Sequence, residues 1–260
     1  MTLPAASTSR RRHRRWPWVV ALVVVLVLVV AFVVADAAGR AYARQQVAEK
    51  MASALGVPAS SLTVTLAATP LPIQLLDGRI DSVDVSATSV SFGPLTGALT
   101  VRASDVPLDQ SAPTRNLDIE YAIDRAHLQE LAATFAGGVI QTVELKPPAV
   151  VAGGSVKVLG FDVPLGVSLT PSAVHGELAL TPSGVTLGGQ DYTAAQLRTA
   201  LGSAAAPLLA QQTFCIASYL PRALTVDSVD VTARALVVRV GGDGIVLGGS
   251  DLSTKGACAG

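Results

Sequence analysis

Hydrophobic and polar positions follow three different rules along this chain. From Trp16 to Ala35 there is no alternation: twenty residues carry no charge and are mostly Val and Leu. At about 1.5 Å per helical residue such a run spans roughly 30 Å, the thickness of a bilayer's hydrocarbon core, whereas the apolar part of a secretory signal is usually only about 7 to 15 residues. From Ala37 to Leu55 the period is helical, with Val47, Met51 and Leu55 on one face and Arg40, Arg44, Glu49 and Lys50 on others. Gly56 and Pro58 stop that helix, which either continues the apolar run or folds back on the domain.

From Ser61 onward the period drops to two. Leu62, Val64 and Leu66 alternate with threonines, and the same pattern recurs at Val83 to Ala87, Leu99 to Ala103 and Leu117 to Tyr121. Further segments read as strands at Val163 to Leu169, Val174 to Leu180, Val229 to Ala233 and Leu236 to Val240, punctuated by Gly and Pro. One apolar and one wet face per strand is the pattern of an antiparallel sheet. Two helices interrupt it. Asp124 is an N-cap for a helix bearing Leu128, Leu131, Ala132 and Phe135, ended by Gly137-Gly138. Thr193 and Gln196 form a capping box that opens a helix with Leu197, Leu201, Leu208 and Leu209, kinked or restarted at Pro207. Apolar residues on several sides of this last helix ask for cover, which a curved sheet wrapped around it would provide. Asp81-Ser82-Val83-Asp84-Val85 recurs letter for letter at 227–231; this reads as a duplicated helix-plus-sheet unit, with chance in a Val- and Asp-rich β protein as the alternative.

Charge gives the chain a direction. Arg10, Arg11, Arg12, Arg14 and Arg15 precede the apolar run, so residues 1–15 form a basic cytoplasmic tail and the chain after Ala35 lies outside. Trp16 and Trp18 fall at the cytoplasmic border, where indoles favour the headgroup layer. Ala35-Asp36-Ala37 also has the small-x-small form of a signal-peptidase site, so a cleaved signal is the competing reading to a single-pass anchor. The Arg-Arg pairs also invite a twin-arginine signal, although such signals are usually less apolar than this run. All three readings deliver residues 36–260 across the membrane, with 36–250 as the extracytoplasmic domain and 251–260 as a C-terminal tail. Of the 19 Lys and Arg, five precede residue 16, leaving 14 against 19 Asp and Glu. A domain of net charge near −5 has no basic stripe for phosphates, which excludes a nucleic-acid partner. Cys215 and Cys258, both in the exported part, read as one disulfide in an oxidising compartment.

Candidate chemistry is sparse. His127 and His175 are in no metal-ligand spacing, and no nucleophile elbow, S-x-x-K pair or phosphate loop occurs. Asp84 and Asp230 alternate with valines and therefore read as wet-face charges, not as a carboxylate pair. Gly241-Gly242-Asp243-Gly244 reads as a hairpin between strands in preference to a calcium loop. No catalytic residue, metal or cofactor is expected. One stretch fits no simple element: Thr69-Pro70-Leu71-Pro72-Ile73-Gln74-Leu75-Leu76-Asp77-Gly78-Arg79-Ile80 breaks a strand with two prolines and then presents large aliphatic residues, either as a core-plugging loop or as a lipid-facing lip.

That block, the strand before it and the Val83-Asp84-Val85 strand after it resemble the LmeA-type phospholipid-binding proteins of actinobacterial cell envelopes. The matching positions are Leu75, Leu76, Gly78, Val83 and Val85. The resemblance spans most of residues 36–250. It implies an α+β, TULIP-like domain after the transmembrane helix, with a curved antiparallel sheet around helices enclosing a channel for acyl chains. It further implies membrane phospholipids as partners and a part in the upkeep of envelope lipids and lipoglycans. With an aliphatic lining, the expected channel has Leu71, Ile73, Leu75 and Leu76 at its mouth and Leu128, Leu131 and Phe135, or Leu197 and Leu201, along its length. An adaptor that contacts envelope proteins through a closed core is the second reading; a hydrolase would need a nucleophile and base that the sequence does not offer.

Overall fold

A computed structural model describes residues 16–92, 94–135, 140–158, 161–206 and 209–258. The basic tail 1–15, the Gly137-Gly138 stop, and Pro207 and Leu208 lie outside the described residues, as do the side chains of Trp16, Trp18 and Phe135.

The apolar run and the amphipathic segment after it form one helix, α1 (Trp16–Leu55). Its window of highest hydropathy has no cover from the rest of the protein, whereas Val47, Met51, Ala52 and Leu55 near its end pack on a sheet. Gly56, at φ 67°, ends it in the left-handed conformation that glycine adopts without a Cβ clash. The chain then builds β1 (Leu62–Leu66), α2 (Leu71–Leu76), β2 (Arg79–Phe92), β3 (Leu95–Pro107) and β4 (Asn116–Asp124). After α3 (Arg125–Phe135) come β5 (Ile140–Lys146), β6 (Ala149–Val158), β7 (Phe161–Val174), β8 (Glu177–Leu187) and β9 (Gln190–Thr193). α4 (Ala194–Leu201), β10 (Gln212–Cys215), β11 (Thr225–Val231) and β12 (Ala235–Asp243) complete the order.

The protein is α+β, and the single curved sheet of the sequence reading is realised as two antiparallel sheets, neither closed into a barrel. The first runs β1-β2-β3-β4-β12-β11, the second β10-β8-β7-β6-β5 with β9 beside β10 on the free edge of β8. β11 lies against β7 where the sheets meet. Two cores follow. One joins the end of α1 to the first sheet through Ala52, Leu62, Val85, Ala87, Val90 and Leu99; the other joins α3 to both sheets through Ile123, Leu128 and Val143.

Asp124 caps α3 as expected, its Oδ1 accepting the His127 amide at 2.9 Å. The Thr193/Gln196 capping box opens α4. Several expectations are corrected. Val174 to Leu180 is not one strand: His175 and Gly176, both at positive φ, turn β7 into β8. β6 was not visible as a strand, because Ala149 to Gly154 does not alternate; β5 does alternate, Val143 and Leu145 with Glu144 and Lys146, and was overlooked. α4 stops at Gly202 instead of continuing to Leu209, and no residue of it is buried, so it lies on a sheet and is not wrapped by one. Gly241 and Gly242 are not a hairpin; they sit within β12, where a Cβ on Gly241 would come within 2.7 Å of the Asp227 carboxylate and one on Gly242 within 2.8 Å of the Ala223 carbonyl. The two Asp-Ser-Val-Asp-Val copies occupy β2 and β11 of the same sheet, not one copy per sheet.

Where α1 leaves its apolar run, a clasp of polar groups holds α2. Asp36 Oδ1 accepts the Leu71 amide at 2.6 Å and its other oxygen takes Arg40 Nε at 2.8 Å. The Arg40 guanidinium also donates to the carbonyls of Ala67, Ala68 and Thr69 at 2.6, 2.9 and 2.7 Å. The Leu71 amide, assisted by Arg40 and opposed by partial burial, holds the Asp36 carboxyl below its usual value of 3.8. A lowered folded-state value means that this stabilisation is complete above the ordinary aspartate range and is lost as pH falls through the lowered value. Protection of the Leu71 amide from hydrogen exchange, corrected for intrinsic rate, should therefore hold at neutral pH and fall only below about pH 4. Asp36→Asn should remove that dependence.

The other fixed point of α2 is Gln74, only 2% exposed, which donates to the Thr69 carbonyl at 2.5 Å and accepts the Asp81 amide at 3.0 Å. Gln74→Ala strips both partners and leaves a void, and should cost about 2 kcal/mol in urea unfolding.

Candidate lipid-binding site

Strand register creates a hollow on one face of the second sheet. Residues directly opposite on neighbouring strands point to the same side. One such row runs Ile140, Gly154, Leu165, Leu187; the next runs Val143, Ala152, Val167, Val185, Tyr192. Gly154 and Ala152 contribute almost no side chain, so the sheet is indented between the aliphatic walls of β5, β7 and β8. α4 folds back directly from β9 over this indentation, and Leu197, Ala200 and Leu201, spaced i, i+3, i+4, share the face that meets it.

The hollow has a volume of about 570 Å³, within the roughly 300 to 1,000 Å³ of small-molecule sites. None of the described residues lining it is charged; Ser155 and Tyr192 supply the side-chain hydroxyls. Leu165, Leu187, Tyr192 and Leu201 all remain exposed, so the hollow is a groove open to solvent along one side. Such a surface offers desolvation and dispersion to an alkyl chain, and almost no hydrogen bonding to a polar ligand.

Of the expected channel residues, Leu197 and Leu201 line the groove. Leu128 is buried in the core between the sheets, Leu131 is half-buried on α3, and Phe135 closes α3 with its side chain outside the described residues. Leu71 is buried against α1, while Ile73, Leu75 and Leu76 are exposed on α2 and do not line this groove. The α2 segment is a short helix with Leu71 and Gln74 buried, Leu71 against α1, and with Ile73, Leu75 and Leu76 exposed apart from this groove. Among the lining residues that the sequence did not point to are Ile140, Ala152, Gly154, Leu165, Val167, Val185, Leu187 and Tyr192. Leu165 and Val167 were visible as one face of a strand; that small residues stand opposite them was not.

The disulfide joins Cys215 of β10 to Cys258 and ties the C-terminal segment to the edge of the same sheet. His127 Nδ1 lies 2.9 Å from the Asp124 carboxylate at the α3 cap, and His175 is in the β7–β8 turn. Among the described residues, no three His, Cys, Asp or Glu side chains are grouped to hold a metal ion.

A family profile described as LmeA-like phospholipid-binding matches residues 34–241. No curated protein and no solved structure matches the chain.

Proposed function

The chain belongs to the LmeA-like phospholipid-binding family, and from that premise we propose that it holds the acyl part of a phospholipid in the groove under α4 while anchored to the membrane by α1. The observation that carries this reading is the uncharged, aliphatic hollow between β5, β7, β8 and α4. Each methylene buried there contributes about 0.8 kcal/mol, so ten give roughly 8 kcal/mol before the losses of association. The open side lets a headgroup stay in water while the chain is covered.

Retention of the anchor is part of the proposal. Five arginines before the apolar run favour a cytoplasmic N-terminus and an extracytoplasmic domain. A cut after Ala37 would remove Asp36, the residue that takes the Leu71 amide and Arg40. A non-catalytic carrier or sensor that supports lipid or lipoglycan maintenance in the cell envelope fits these features.

The test uses the full chain in nanodiscs containing a phospholipid with a diazirine in its acyl chain. After illumination, cross-links are expected on peptides containing Leu165 to Val167, Val185 to Leu187 and Leu197 to Leu201, in addition to α1. Cross-links confined to α1 would sink the groove as a lipid site.

A further inference from the structure

Exposed aliphatic side chains gather at the end of the first sheet from which α1 descends. Antiparallel register identifies that end. Ala67 to Thr69, which follow β1, are bound by Arg40, four residues beyond Asp36. Arg79 at the start of β2 faces Pro107 at the end of β3, Ser104 faces Asn116, and Asn116 faces Asp243. The loops after residues 107 and 243 are therefore on the same rim as α2. Hydrogen bonds fasten them together: Leu108 N to Gly78 O at 3.0 Å, Gly248 N to Gln110 O at 2.9 Å and Thr114 N to Ile245 O at 2.9 Å. Along this rim Ile73, Leu75, Leu108 and Leu247 are exposed, and Leu76 is 88% exposed. An aliphatic side chain this bare beside a membrane helix has an obvious place to go.

The distance is short. Asp36 immediately follows the apolar run, and the Leu71 amide sits on its carboxylate. A six-residue helix is about 9 Å long, so all of α2 lies within about that distance of the level at which α1 emerges. Interfacial helices bury their apolar face roughly 5 to 10 Å into the boundary between headgroups and acyl chains.

We propose that α2, with Ile73, Leu75 and Leu76 outward and aided by Leu108 and Leu247, dips into the leaflet from which α1 emerges, so that the domain is seated on its own membrane at two points. The clasp of Asp36 and Arg40 sets the angle between the two. The contact is made by aliphatic side chains, so it is insensitive to salt. This inference goes beyond lipid binding in the groove, which none of the five residues lines; it rests only on α1 lying in a bilayer.

The chain's two cysteines are joined, so a single added cysteine can carry a fluorophore. Full-length Leu76→Cys, Leu28→Cys and Thr88→Cys would each be labelled with bimane and placed in phosphatidylcholine/phosphatidylglycerol nanodiscs with acyl chains brominated near the headgroup. Residue 28 reports the anchor, and residue 88, exposed on β2 far from the rim, reports the aqueous domain. Quenching at 28 and 76 with a blue shift at 76, unchanged in high salt, and neither effect at 88, is the expected result. Quenching at 28 with residue 76 behaving like 88 would overturn the inference and leave the groove reading untouched. Quenching at neither 28 nor 76 would overturn it together with the anchoring. Protection of residue 76 from both bromolipid and aqueous iodide would overturn it in favour of a protein partner or a second copy.

Discussion

Leu165→Asp should abolish acyl-chain capture by the groove while leaving the domain folded. Leu165 stands between Gly154 on β6 and Leu187 on β8, in the row that forms one wall of the hollow, and is partly exposed before any ligand enters. A carboxylate there is solvated in the free protein, so folding pays little. Covering it with an alkyl chain would strip its water without a partner among the uncharged lining residues. Losing the leucine's own apolar contact alone is worth about 2 kcal/mol, or roughly thirtyfold in affinity, and the desolvation of the charge adds to that. The measurement is the yield of acyl-chain cross-linking at residues 185–187 and 197–201, with circular dichroism to confirm the fold. Wild-type yield from the variant would mean that the lipid lies elsewhere. Ala152→Phe is the steric counterpart: it fills the hollow with an apolar ring and should also lower the yield.

Removing the disulfide should have the largest effect on stability. Cys215 and Cys258 close a loop with a sequence separation of 43, and on the chain-entropy estimate such a cross-link restricts the unfolded chain by about 4 kcal/mol. Between its ends lie β11 and β12, which are held in the first sheet, but the two ends themselves have weak support otherwise. β10 is a four-residue strand on the edge of the second sheet, and among the described residues beyond β12 there are two single β-bridges, at Val246 and Lys255, a short helical turn and hydrogen bonds such as Arg222 N to Thr254 O at 2.8 Å. The double change Cys215→Ser with Cys258→Ser, followed by urea unfolding of the full chain in nanodiscs, should lower the midpoint by more than about 1 M, given slopes of roughly 1 to 3 kcal/mol per molar for small proteins. A midpoint unchanged within error would show that the unfolded chain is already compact across this loop. Because β10 flanks the sheet that carries the groove, the reduced protein should also cross-link lipid less.

Most of the first sheet was legible because its strands have one wet face. Leu62, Val85, Leu99 and Val229 are buried, and their neighbours Thr63, Ser86, Thr100 and Asp230 are more exposed; period-two alternation is the direct signature of that geometry. The helix caps were legible for a similar reason, since Asp124 and Thr193 act on amides only three residues away. The second sheet was less legible. Ala149-Val150-Val151-Ala152-Gly153-Gly154 is apolar or small at every position, so period gives no information about which side faces the groove.

By itself, then, the sequence determined the long apolar helix near the N-terminus, the alternating strands of the first sheet, the caps of α3 and α4 and the pairing of the only two cysteines, all of which depend on neighbours along the chain or on simple count. Tertiary structure decided where the apolar surface is left open. Ile73, Leu75 and Leu76 look like pocket residues in a sequence, because an aliphatic cluster after two prolines has the same composition whether it faces a cavity or the outside. Only the clasp of Asp36 and Arg40, formed with residues 27 to 35 positions distant, hangs that cluster on α1. In the same way, Gly154 and Ala152 make a hollow only because strand register sets them beside Leu165 and Val167, and register is a relation between strands that no single stretch of sequence contains.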